Sequence, residues 1–222
     1  MNKTKFGLTA AHLRILALGL MLLDHLWGTV VPGNDWMTYV GRMAFPIFAF
    51  QAAQGYHHTH DFKGYCKRLL IFGLVSEIPF NLMIIGSPIF PFHQNVMFTL
   101  LLGLLACRAW DQKKWIRLIL LYLAGVLTFP DYGAMGVLTV LMFHVFRDRK
   151  WLQVLMMVAI NWFGFEGQHL IFGSFEMPVQ AFAILAMIPI ALYNGEKGRG
   201  GKALQYGSYV FYPLHMLILG LL

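Results

Sequence analysis

Residues 9–31 read TAAHLRILALGLMLLDHLWGTVV, and two properties of this stretch decide the fold. At 1.5 Å per residue it is long enough to cross hydrocarbon as one helix, since a crossing takes ~20 apolar residues. It also carries Arg14, Asp24 and His25, and an ionisable group at the centre of a bilayer costs at least ~2.5 kcal/mol. A helix that keeps such groups has to turn them toward partner helices or a water-filled cavity. The stretch therefore predicts a bundle rather than a lone anchor. The preceding Met1 to Lys5 is basic, as in an export signal, but Arg14 and Asp24-His25 interrupt the apolar run and no small-residue cleavage site ends it. It reads as a retained first helix.

Working outward, the same pattern recurs along the chain. Apolar runs predict helices at about 9–31, 36–58, 65–86, 92–109, 115–129, 132–146, 151–164, 175–193 and 203–222, with boundaries good to a few residues. Composition agrees: 58% hydrophobic, 12% charged and a mean hydropathy of +0.61 over 222 residues. Of the 17 Lys and Arg residues, all but Arg42 fall on one side of the alternation. Cationic loops stay cytoplasmic, so the chain is expected to be an all-α, polytopic protein of the bacterial inner membrane. It has about nine transmembrane helices, a cytoplasmic amino terminus and a single membrane-embedded domain over 1–222. The short runs at 115–129 and 151–164 leave eight crossings open. The formal charge of +7 follows from this topology and from attraction to anionic lipid, so the bilayer is the expected partner and nucleic acid is not. Cys66 and Cys107 have no paired spacing and predict neither a disulfide framework nor a zinc site.

The polar residues inside helices carry the functional information. Arg14 and His25 are eleven residues apart, so on a helix they differ by about 20° in direction and ~16 Å in height. One face then presents a guanidinium near the cytoplasm and an imidazole beyond the midplane, a pattern shared by a snorkelling Arg beside a structural His and by a cavity with an anion site at its mouth and proton chemistry at its depth. Imidazole suits that chemistry because its ordinary pKa lies near neutral. Asp24, Arg42, Glu77, Asn95, Asp131 and His215 map to the same middle or outer depth. Asp24 adjoins His25 in sequence and cannot face it on a helix. The expected arrangement pairs Asp24 with Arg42 and leaves Glu77 or Asp131 to hold His25. Pro46, Pro79 and Pro213 put kinks around this region.

On the cytoplasmic side Arg14, Gln54, His57, His58, Lys67 and Arg68 form the largest concentration of donors. Guanidinium with lysine support is the usual phosphate receptor. The remaining loop cations, Lys113, Lys114, Arg147 and Arg149 among them, read as topology signals. His57, His58 and His60 lack a supporting carboxylate other than Asp61, and no metal is expected. An outer loop holds Glu166 and His169.

The strings Met21-Leu22-Leu23-Asp24-His25, Gly41-Arg42-Met43-Ala44-Phe45-Pro46-Ile47-Phe48-Ala49-Phe50, Ser76-Glu77-Ile78-Pro79-Phe80, Asn95-Val96-Met97-Phe98-Thr99, Asp131-Tyr132-Gly133 and Tyr212-Pro213-Leu214-His215 resemble the TraX family, in order along nearly the whole chain. The resemblance implies an integral membrane acetyltransferase, since TraX is associated with amino-terminal acetylation of the conjugative pilin subunit. The Arg14 and His25 spacing is also similar to the first helix of the membrane acyltransferase-3 family, in which the His is held to be catalytic and the Arg important for acyl-CoA use.

Together these readings give one expected mechanism. Acetyl-CoA, the acyl donor, enters from the cytoplasm, with its phosphates on Arg14, His58, Lys67 and Arg68 and its pantetheine arm along the first helix. His25 acts as general base or as covalent carrier, oriented by Glu77 or Asp131, and Arg42, Asn95, Tyr212 or His215 face the substrate or the thioester oxyanion. The acceptor is an amine or hydroxyl, on a pilin-like peptide or an envelope glycan. A proton-coupled transporter would use the same ionisable residues, although no internal repeat is visible. An intramembrane hydrolase would use Ser76.

Overall fold

The computed structural model describes residues 6–165 and 167–222, so Met1 to Lys5 and Glu166 lie outside the described residues. The chain is mostly helical. α1 (Ala10–Thr29) starts from a capping box in which Thr9 and His12 each bond the other's backbone amide. After the turn at Pro32-Gly33 come α2 (Trp36–Gly41) and α3 (Ala44–His58). The single helix expected over 36–58 is thus broken at Arg42-Met43. Pro46 has no N–H to give the Arg42 carbonyl, so the helix restarts rather than runs through. α4 (Phe62–Ile85) is N-capped by Asp61 and ends at Gly86, whose left-handed backbone (φ 67°) closes the last turn. α5 (Val96–Asp111), α6 (Trp115–Leu127), α7 (Gly133–Val145) and α8 (Lys150–Phe163) follow as hairpins.

The helix expected over 175–193 is not continuous. Residues 169–178 form a two-stranded antiparallel hairpin, β1 (His169–Phe172) and β2 (Phe175–Pro178). A 3-10 helix, Val179–Ala186, then leads into the short α9 (Met187–Ala191). Pro178 and Pro189 bracket this irregular stretch, and each removes a donor that a regular helix needs. α10 (Gly201–Gly220) closes the chain.

α3 is central, packing on α1, α5 and α7 through Ala49, Ala52 and Ala53, all buried. α10 packs along α4, and α5 along α7. The second contact is close: a methyl on Gly103 of α5 would come within 2.6 Å of the Val140 side chain. The hairpin order puts the basic connectors at one end of the bundle, where Tyr56 bonds Asp111 and His57 meets His144. At the far end, the connectors join through Gln94 with Phe129 and Asp131. α1 and α4 are each long and apolar enough to cross a membrane.

Candidate functional site

α1 presents Arg14, Leu18, Met21 and His25 at helical spacing, and these four residues walk through three successive cavities. At the basic end is a vestibule of about 430 Å³. A throat of about 80 Å³ follows, sharing Arg14, Gln51 and Gln205 with the vestibule. At the far end lies a cavity of about 290 Å³, which shares Met21, Phe48, Val96 and Tyr212 with the throat. The side chains around the throat are chiefly apolar, with Arg14, Gln51, Gln205 and Ser208 among them, and it is the narrowest of the three.

His25 faces the far cavity. Its Nδ1 lies 2.7 Å from His215 Nε2, the two rings stacked with centroids 5.0 Å apart. His215 Nδ1 lies 2.8 Å from the Phe211 carbonyl oxygen. A carbonyl only accepts, so His215 Nδ1 carries the proton and, with that ring neutral, its Nε2 accepts from His25 Nδ1–H. The His25 Nε2 lone pair is what remains for a reaction partner. Glu77 and Asp131 do not hold His25, contrary to the expectation from sequence. The fourth-turn register of α10, not a carboxylate, sets the tautomer.

The expected pair of Asp24 with Arg42 is present. Arg42 Nη2 donates to both carboxylate oxygens at 2.8 and 2.9 Å, and Thr38 donates to Asp24 Oδ1 at 2.6 Å while accepting from the same guanidinium. The pair forms because α2 approaches α1 at Gly41, where an added methyl would sit 2.5 Å from Asp24 Cβ. Gly41→Ala is expected to separate the two helices and to lower stability by about 1–3 kcal/mol. An unchanged thermal midpoint in detergent would show that the approach is not needed.

Asp131 meets His93 rather than His25, with His93 Nε2 3.4 Å from Asp131 Oδ1. His93 sits on the connector between α4 and α5. Its bond to Asp131 raises its pKa, burial opposes this, and the charges of Asp131 and Glu77 add to the rise. The raised folded pKa means the contact stabilises fully below the ordinary histidine value and is lost as pH climbs through the folded one. The thermal midpoint should therefore fall from about pH 6 to about pH 9 less in His93→Gln than in the parent chain. Equal slopes would remove His93 as the cause.

Glu77 and Asn95 clamp α4 to α5 instead of lining the site. Asn95 Nδ2 donates to the Gly73 carbonyl at 2.8 Å and to Glu77 Oε2, while its Oδ1 caps Met97 N–H at 3.1 Å. Asn95 is fully buried and its amide donors are spent, so it has none to offer an oxyanion. Arg42 and Tyr212 do line the far cavity. Tyr132, stacked on Phe45, and Trp27 line it too and were not singled out by spacing. Ser76 is buried and absent from the cavity lining, so it does not meet His25.

At the basic end Arg14 and His58 line the vestibule as expected, but Lys67 and Arg68 do not. Lys67 is exposed on α4, and Arg68 is drawn to Tyr65 and Tyr209. The other cations that line it are Lys197 and Arg199 of the connector before α10 and Lys202 at the start of α10. This connector folds over the start of α1, whose Ala10 and Ala11 amides donate to the Glu196 and Lys197 carbonyls. His57 turns away to His144, which also bonds Asp111.

The profile of the family described as TraX protein matches residues 9–222. A probable fimbrial assembly protein FimC, serogroup H1, from Dichelobacter nodosus is 27% identical over 95% of this chain and 94% of its own length. Protein TraX from Escherichia coli is 25% identical over 95% of this chain and 85% of its own length. No solved structure matches.

Proposed function

Because the chain belongs to the TraX family, we propose that it is a multi-pass inner-membrane acyltransferase of pilus or cell-envelope biogenesis, moving an acetyl group from acetyl-CoA at the cytoplasmic face to an amine or hydroxyl at the opposite face. The names of both relatives, one of them a probable fimbrial assembly protein, support the biological setting. The membrane reading rests on exposed apolar surface: Leu74, Ile116 and Phe163 are 61%, 77% and 81% exposed. Faces of this kind suit lipid and not water. The nine helical stretches of the sequence reading serve as crossings, with the broken one at Arg42-Met43 and the irregular one at 179–191 facing protein.

The observation that carries the chemistry is the succession of vestibule, throat and far cavity along one face of α1, each sharing lining residues with the next. Arg14, His58, Lys197, Arg199 and Lys202 can hold the phosphates of the donor. The rise from Arg14 to His25, ~16 Å along the helix, matches an extended pantetheine arm in the throat. The thioester then meets an imidazole whose Nε2 is free to react, with Arg42 and Tyr212 facing the carbonyl oxygen. The chain's contribution is to bind the diphosphate in water, strip the arm of water and deliver one carbonyl to His25.

A path that joins both ends also suits a proton-coupled transporter, and one experiment separates the two. Purified protein in liposomes is given acetyl-CoA outside and, inside, a mixture of short peptides with free amino termini and envelope oligosaccharide. Acetylated product with CoA release supports the transferase. Solute or proton flux without a donor, and no product, supports the transporter.

Donor binding has its own prediction. Lys197→Ala, Arg199→Ala and Lys202→Ala combined should weaken acetyl-CoA at least about tenfold, and added salt should weaken the parent chain in the same direction because exposed phosphate contacts are screened. Lys67→Ala should leave binding unchanged. Calorimetry in detergent that finds the reverse order would return the phosphates to α4.

A further inference from the structure

Resting on the acyltransferase reading, we propose that His25 carries the acyl group covalently on Nε2 and that His215 takes the Nδ1 proton as it does so, making the reaction a double displacement with each substrate arriving from its own end. The observation behind it is the ordered chain from His25 through His215 to the Phe211 carbonyl, placed where the throat opens into the far cavity. Between the two rooms lies a neck of about 80 Å³ that shares lining residues with each. A donor arm filling that neck presents its thioester at His25 from one side, and an acceptor reaches the same nitrogen from the other. Neither substrate has to pass the other.

The hydrogen-bond chain leaves Nε2 of His25 as its free nucleophilic atom and gives its Nδ1–H an acceptor. The carboxylates lining this cavity do not bond His25: Asp24 is held by Arg42 and Asp131 by His93. His25 instead has a second imidazole. When Nε2 attacks the thioester carbonyl, the new C–N bond forms, the C–S bond breaks, and the thiolate leaves toward the cations of the vestibule, where solvent protonates it. Acylation of Nε2 makes Nδ1–H strongly acidic, and His215 Nε2, 2.7 Å away, receives that proton. The His215 imidazolium then has both N–H groups bonded, to the Phe211 carbonyl and to His25 Nδ1. In the second half the acceptor nitrogen or oxygen attacks the acyl carbon, the C–N bond to His25 breaks, His215 returns its proton to Nδ1, and the proton shed by the acceptor goes to water of the far cavity. Protons and electron pairs balance over the cycle with no further reactant.

The decisive measurement needs no acceptor. Purified protein is incubated with acetyl-CoA and isotopically labelled free CoA, and exchange of label into acetyl-CoA is followed. The quenched protein is digested and its peptides are weighed for one added acetyl group on the peptide containing His25. Exchange together with acetyl on His25 is expected, both absent in His25→Gln. His215→Gln separates the two roles of the partner: its amide oxygen can accept from Nδ1–H and keep the His25 tautomer, read by nitrogen NMR of labelled histidine, but it cannot take a proton. Tautomer retained with exchange lost is the expected result. Product formed in the liposome assay without exchange and without acetyl on His25 overturns the covalent step and leaves the transferase standing. Exchange at the parent rate in His215→Gln overturns the role of His215. No acetyl-CoA binding and no product overturns both this step and the function it rests on.

Discussion

His25→Ala abolishes acetyl transfer, by at least about 10³-fold, while acetyl-CoA binding stays within about threefold of the parent chain. The two halves of this result come from the separation of the cavities. The imidazole belongs to the far cavity, and the cations belong to the vestibule, on the other side of the throat. Removing the ring deletes the reacting nitrogen and leaves the anion site. Arg14→Ala should do the converse, weakening the donor without disturbing the pair of His25 and His215, because Arg14 lines vestibule and throat but not the far cavity. Paired product and calorimetric measurements on both variants check the split. Near-normal transfer by His25→Ala would move the chemistry to another residue of the same cavity.

Arg42→Ala should cost about 3 kcal/mol of stability in detergent, the low end for a broken buried pair because the guanidinium keeps contact with the cavity. The loss exceeds that of an ordinary surface change because Asp24 is left with Thr38 alone. The double change Asp24→Asn with Arg42→Ala should recover a coupling of about 1–3 kcal/mol relative to the summed singles. Strictly additive losses in denaturant midpoint would mean that the two charges do not support each other. Transfer should also fall wherever Arg42 is replaced, since in the proposed mechanism its guanidinium faces the reacting carbonyl.

What the sequence made legible was whatever depends on helical period and charge placement. The row from Arg14 to His25, the Asp24 and Arg42 pair, and the hairpin succession all follow from spacing along one helix or between neighbours in the chain. What it missed depends on contacts between distant segments. His215 comes 190 residues after His25, and nothing in either local sequence says that one ring stacks on the other. The cations that line the vestibule escape the sequence for a related reason. Lys67 and Arg68 lie beside a histidine-rich turn, but the connector holding Lys197 and Arg199 is brought to the vestibule by its bonds to the first amides of α1. The irregular backbone at 175–191 reads as a helix in sequence because its apolar content is high, although Pro178 and Pro189 each remove a helix donor. Asn95 and Glu77 bond each other, an outcome that position along a helix cannot distinguish from catalysis.

The narrow throat has one more consequence once the bundle lies across an energised membrane. Where solvent fills the two wider cavities, each bulk potential reaches deep into the protein, and the voltage drop is compressed onto the narrow neck between them. A unit charge that moves through this neck therefore exchanges nearly the full ~2.3 kcal/mol per 100 mV with the field. The turnover derived above releases a proton on one side and consumes one on the other. That cycle moves one proton equivalent across per acetyl transferred, so its rate should respond to membrane potential, and liposomes clamped at opposite polarities should turn over unequally.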